Sequence, residues 1–108
     1  MVNNENIMDT LRSIIPEVKF DTSAKVQLEK VIEECNEAIF EFEAEDNIKL
    51  LYEMVDVVTA SVNALYKSRI SDVYLQHGFD YVVEKNRRRG YYDESQLELP
   101  LYSEHKGL

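Results

Sequence analysis

The sequence of 108 residues has few of the residues that interrupt helices or cross-link chains: three Gly, two Pro and one Cys. Because helix breakers are scarce and Leu, Glu, Lys and Ala favour helices, the composition predicts an all-α protein. The single cysteine, Cys35, excludes a disulfide within the chain, which fits a reducing compartment. The N-terminus is polar, and no apolar run approaches the roughly 20 residues of a membrane helix. We therefore expect a soluble, cytoplasmic protein.

Cations are also in the minority, with 12 Lys and Arg against 21 Asp and Glu and a formal net charge of −9. A general nucleic-acid-binding protein needs clustered cations to neutralise phosphates. The composition therefore argues against direct binding to nucleic acid, and nothing in the sequence indicates a membrane partner.

Apolar residues at spacings of three and four predict four helices. These helices cover residues 4–15, 24–44, 48–67 and 72–89. The first ends before Pro16, and Gly90 stops the last. Apolar stripes on the second and third helices consist of Leu28, Ile32, Cys35, Ile39 and Phe42 and of Leu51, Met54, Val58, Val62 and Leu65. We predict an antiparallel four-helix bundle-like domain over 1–92 and an extended tail over 93–108.

Two acidic motifs lie on the second and third helices: "EECNE", which begins at residue 33, and "EMVD", which begins at residue 53. Residues three apart share a helix face, so Glu34 lies beside Glu37, and Glu53 lies beside Asp56. The short turn between the helices makes them antiparallel neighbours and places the two pairs at similar heights. Such a cluster of carboxylates protonates, splays apart or binds a divalent ion, and oxygen ligands suit Mg²⁺ or Mn²⁺.

The alternative to a metal site is an acidic face in contact with solvent, since Glu is a good helix former. Asp56 favours the metal site, because Asp is a weak helix former and here stands between Val55 and Val57. A di-iron site would require Glu-x-x-His pairs, and neither His77 nor His105 has that spacing.

The pattern E-E-x-x-E, 15 residues and E-x-x-D resembles the all-α nucleoside triphosphate pyrophosphohydrolases, the superfamily of MazG and the dimeric dUTPases. The likeness covers about residues 25–92. It implies a MazG-type subunit in a homodimer or homotetramer that uses Mg²⁺, or Mn²⁺, to cleave a nucleoside triphosphate into the monophosphate and pyrophosphate. The metal ligands that it implies are Glu34, Glu37, Glu53 and Asp56. It also implies a catalytic Glu33 that binds the ion or orients the attacking water.

The dense cationic segment "KNRRRG" follows at the end of the fourth predicted helix. Lys85 and Arg89 are four apart and share a face, so we expect them to bind substrate phosphate. Asn86 and Tyr91 are candidates for contacts to the sugar or base. The alternative is that positive charge simply stabilises the helix C-terminus, and some of the arginines are expected to form ion pairs.

The tail carries "QLELPLY", which resembles the short motif that docks on the bacterial replication sliding clamp. Gln96 would fill a polar subsite, while Leu99, Leu101 and Tyr102 would occupy an apolar groove. Alternatively, these leucines pack on the protein's own helices or on a neighbouring subunit. The alternative function is therefore a non-catalytic helical oligomeric accessory protein with a possible docking tail.

Overall fold

A computed structural model of the protein describes residues 7–98. The four α-helices are α1 (Ile7–Ile14), α2 (Ala24–Glu43), α3 (Asn47–Lys67) and α4 (Asp72–Arg88), and a short 3-10 helix (Glu94–Glu98) follows them. No strand occurs within 7–98, so the all-α prediction is confirmed there. None of the helices in this range is both long and apolar enough to cross a membrane.

The helices begin and end at the residues that local chemistry favours. The Ser23 hydroxyl accepts the backbone N–H of Val26 at 3.1 Å at the start of α2, and the Asp46 carboxylate accepts that of Lys49 at 3.0 Å at the start of α3. After α4, Gly90 adopts φ = 75°, a left-handed conformation that glycine accommodates without strain. These caps explain why the predicted and observed boundaries agree closely.

The chain divides into two compact units. The first, described over residues 7–14 and 71–98, contains α1 and α4, which pack against each other. The Arg12 guanidinium donates to both carboxylate oxygens of Asp72, at 2.8 and 2.9 Å. Met8 of α1 and Leu75 of α4 are buried. This unit places the cationic segment at the C-terminal end of α4.

The second unit, residues 15–70, consists of a connector followed by the antiparallel hairpin of α2 and α3. Asn63, which is completely buried, accepts the backbone N–H of Val18 at 2.8 Å and donates to the Pro16 carbonyl at 3.3 Å. The buried Tyr66 hydroxyl donates to the Ile15 carbonyl at 3.0 Å. These bonds fix the connector against the C-terminal half of α3 and satisfy buried polar groups.

The face between α2 and α3 contains polar and small residues beside valine and leucine, and it coincides only in part with the predicted apolar stripes. The least exposed positions include Gln27, Val31, Glu34, Ala38 and Glu41 of α2 and Leu50, Glu53, Val57, Ala60 and Ala64 of α3. Ile32, Ile39 and Phe42 are 57–69% exposed, Cys35 is half-buried, and Val62 is buried. The hairpin thus buries Glu34 and half-buries Glu53, and it leaves much of its apolar surface exposed.

Candidate functional site

The two acidic motifs meet between α2 and α3. Carboxylate oxygens of Glu34, Glu53 and Asp56 all lie within 4.8 Å of one another, and so do those of Glu33, Glu34 and Glu37. Glu34 belongs to both groups, so the five residues form one connected set, which we call the acidic cluster. The helical period and the short turn bring these side chains together as the sequence predicted.

Burial within the acidic cluster is uneven. The Glu34 side chain is only 8% exposed, and Glu53 is half-buried, whereas Glu33, Glu37 and Asp56 are exposed. The Oε2 atom of Glu53 is inaccessible to solvent and accepts no hydrogen bond from the described residues. A buried acceptor without a donor is energetically costly, so this atom requires either a proton or a cation as its partner.

The electrostatics of Glu53 reflect the same crowding. Its pKa is raised to about 7, first because the protonated acid can donate to the Glu37 carboxylate, and then because of partial burial and the charges of Glu37 and Glu34. Near neutral pH, the folded protein therefore retains part of a proton that an isolated glutamate has lost. A divalent ion would replace this proton, because metal ligands bind in their ionised form.

One cation already contacts the acidic cluster, and sequence reasoning missed it. The Lys30 ammonium group donates to Glu34 Oε1 at 3.2 Å. The pKa of Lys30 is raised, chiefly by this hydrogen bond and the charge of Glu34, and further by Glu33 and Asp56. The spacing of four residues between Lys30 and Glu34 was the available signal, since such pairs are neighbours on a helix.

Two arginines of the cationic segment form structural ion pairs with Glu84. Arg87 donates from Nε and Nη2 to the two Glu84 oxygens at 2.8 and 2.6 Å, and Arg88 Nε donates to Oε2 at 3.2 Å. A further bond of 3.2 Å joins Arg87 to Glu94. The pKa of Glu84 falls to about 2, mainly because of Arg87. These arginines anchor the end of α4, as the expectation of ion pairs proposed.

Lys85 and Arg89 differ from these arginines, because neither forms an ion pair with an acidic side chain in the described part of the chain. Together with Tyr81, Glu84 and Arg88 they line a surface cleft of about 250 Å³. Their charges are therefore accessible to an anion, which is consistent with the predicted phosphate-binding role.

The two candidates for sugar or base contacts both make local interactions. Asn86 Nδ2 donates to the Tyr92 hydroxyl at 3.2 Å, and the Arg89 guanidinium lies 5.9 Å from the centre of the Tyr91 ring. Tyr91 is 64% exposed, so its ring has surface left for another partner. Their roles toward a substrate stay predictions.

The proposed docking motif falls mostly outside the described residues. Gln96 is exposed within the 3-10 helix, and Leu99, Leu101 and Tyr102 lie beyond residue 98. His77 is exposed, and His105 is likewise outside the described range. Docking on a sliding clamp therefore stays a prediction from the sequence motif.

No protein-family model matches the chain, and neither the curated proteins nor the solved structures contain a significant match. The functional assignment consequently depends on the side chains of the acidic cluster and on the motif resemblance. Conversely, the convergence of both motifs is a property of this chain that needs no relative to support it.

Proposed function

We propose that this protein is a Mg²⁺-dependent nucleotide pyrophosphohydrolase that cleaves a nucleoside or deoxynucleoside triphosphate into the monophosphate and pyrophosphate. The observation that carries the proposal is the convergence of the acidic cluster around an inaccessible Glu53 oxygen that has no hydrogen-bond donor among the described residues. A cytoplasmic enzyme of this kind would remove unwanted nucleotides from the cellular pool.

The ligand set fits a hard divalent ion. Glu34, Glu53 and Asp56 offer carboxylate oxygens within 4.8 Å of one another, and Glu37 lies beside Glu53. Oxygen-only ligation is the preference of Mg²⁺ and also suits Mn²⁺. When bound, Mg²⁺ would supply Lewis acidity toward the phosphates and lower the pKa of a bound water.

The remaining polar residues would position and stabilise the reactants. Glu33, exposed within the acidic cluster, would accept a hydrogen bond from the attacking water and orient it. Lys85 and Arg89 would donate to phosphate oxygens and offset the negative charge of the departing pyrophosphate. Such a displacement at phosphorus requires no side-chain nucleophile, so Cys35 has no assigned part in it.

A panel of canonical and modified nucleoside triphosphates, incubated with the full chain and Mg²⁺, tests this function. We expect release of pyrophosphate together with the monophosphate from at least one member, and loss of the signal in EDTA. The preferred base would be identified in the same experiment. Absence of hydrolysis across the panel would favour the non-catalytic accessory protein instead.

Replacing Lys85 or Arg89 by Ala should reduce kcat/KM by about 10- to 150-fold, because a hydrogen bond to a charged group is worth roughly 1.5–3 kcal/mol. Steady-state kinetics with the best substrate would measure the effect. The control is Arg87→Ala, which removes the same charge from an arginine that is bonded to Glu84 and Glu94 and does not line the cleft. Equal losses in all three variants would indicate a general charge effect rather than phosphate binding by Lys85 and Arg89.

The exposed apolar side chains support assembly into a homodimer or homotetramer of bundle-like subunits. Ile32, Ile39 and Phe42 are each more than half exposed in the single chain. Large contiguous apolar patches are uncommon on monomeric proteins and mark interaction surfaces.

A charge placed among these exposed apolar side chains of α2 should therefore dissociate the oligomer. Ile39→Asp is expected to reduce the particle mass measured by light scattering or sedimentation. Asn47→Asp, which adds the same charge at an exposed polar position of α3, should leave the mass unchanged. A wild-type protein that is monomeric at all concentrations would contradict the proposed assembly.

A further inference from the structure

We propose that Lys30 is a tethered cation that competes with the divalent ion for Glu34 and thereby sets the metal affinity of the acidic cluster. This inference rests on the metal site of the proposed function and adds a residue to it. Nothing in the acidic motifs assigns a role to Lys30, which precedes the first of them.

The contact places Lys30 on the central residue of the acidic cluster. Its ammonium nitrogen lies 3.2 Å from Glu34 Oε1, and Glu34 is the one member shared by both groups of converging carboxylates. The Glu34 side chain is 8% exposed, whereas that of Lys30 is 52% exposed. The lysine therefore reaches from solvent onto a buried carboxylate that a metal ion in this cluster would need.

Helix stabilisation is a poor explanation for this pair. In an isolated helix, a glutamate four residues before a lysine is favourable, and the reverse order found here is weaker. The surroundings supply a better explanation, because Glu34 has the carboxylates of Glu33 and Asp56 within 4.8 Å. In the ion-free protein, Lys30 provides part of the positive charge that this arrangement requires.

A divalent ion bound among the same carboxylates would repel the ammonium group. The lysine side chain is flexible and half-exposed, so it can rotate into water when the ion binds. The remaining repulsion, screened by solvent, corresponds to a change of about fivefold in the dissociation constant. Lys30 thus makes the cluster tolerable without metal and lowers its affinity for metal.

Titration of the metal-free full chain with Mn²⁺ tests this role. Binding would be measured by calorimetry or by the electron paramagnetic resonance signal of free Mn²⁺. Lys30→Gln should bind Mn²⁺ about fivefold more tightly than the wild type. Lys30→Arg, which keeps the charge, should bind no more tightly than the wild type. Lys67→Gln is the matched control. Lys67 lies in the last turn of α3, about 16 Å along the helix from Asp56, and forms an ion pair of 3.2 Å with Glu17.

A second readout is independent of metal. In EDTA, Lys30→Gln should melt at a lower temperature than the wild type, because the cluster loses its counter-ion, and circular dichroism should confirm an unchanged helical content. Unchanged or weaker Mn²⁺ binding by Lys30→Gln, with measurable binding by the wild type, would overturn this inference and leave the metal site intact. No Mn²⁺ binding by the wild type would overturn the metal site and this inference together.

Discussion

Glu53→Gln is expected to abolish pyrophosphate release and, at the same time, to raise the melting temperature of the metal-free protein. The substitution keeps the shape of the side chain but removes its negative charge. The neutral amide can donate to the neighbouring carboxylates of Glu37 and Glu34, which in the wild-type protein raise the pKa of Glu53. Repulsion among the carboxylates of the acidic cluster therefore falls, while a bound divalent ion loses one of its ligands.

The expected loss of activity is at least about 100-fold, since changes in residues that merely support metal ligands already cost 10–100-fold. Rates of pyrophosphate release and thermal melts in EDTA would be measured on the same preparations. Glu29→Gln makes the same change at an exposed position of α2 outside the acidic cluster, and should alter neither quantity appreciably. An active Glu53→Gln variant would remove Glu53 from the site, and an inactive one that melts below the wild type would indicate a structural role.

Divalent metal is expected to stabilise the wild-type protein strongly. An ion that binds only the folded chain, at a free concentration of 100 times its dissociation constant, adds about 2.7 kcal/mol to the free energy of unfolding. For a chain of this length, the increase corresponds to a rise of roughly 10–20 °C in melting temperature. Melts with MgCl₂ or MnCl₂ against EDTA would measure it, and Glu53→Gln should lose most of the shift.

The pH dependence of this stabilisation follows from Glu53. The pKa of an unperturbed glutamate, as in the unfolded chain, is 4.5, and that of Glu53 in the folded protein is about 7, so between these values the folded state binds the additional proton. Metal-free stability contributed by this group therefore falls as the pH rises through that window. Above it, the ion displaces no proton, so the metal-induced shift should be larger at about pH 8 than at about pH 6. A metal-induced rise in melting temperature that is the same at both pH values, or the same in Glu53→Gln as in the wild type, would point to nonspecific ion binding.

The acidic cluster was predictable because it depends on few variables. Glu34 and Glu37 share a face through the helical period alone, as do Glu53 and Asp56, and the short turn then fixes their relative height. The ends of the helices were equally predictable, because Ser23, Asp46 and Gly90 act through local backbone chemistry. No distant contact is needed to determine either feature.

The orientation of the apolar stripes was not predictable in the same way. Periodicity shows that Ile32 and Ile39 share a face with other apolar residues, but it does not show which surface covers that face. In the structure, α2 meets α3 through positions such as Gln27 and Glu34 instead. The pairing of charged side chains was also not predictable from the sequence. Arg87 and Lys85 differ in role because Arg87 forms the ion pair with Glu84, and the sequence does not show which cation does so.

The central claim is that the carboxylates of α2 and α3 form a binding site for a divalent ion. Anomalous diffraction from crystals grown with Mn²⁺ tests it most directly, because the signal locates the ion independently of activity. We predict an anomalous peak in contact with carboxylate oxygens of Glu34, Glu53 and Asp56. Density that shows these side chains ordered, with no anomalous peak among them at saturating Mn²⁺, would contradict the account.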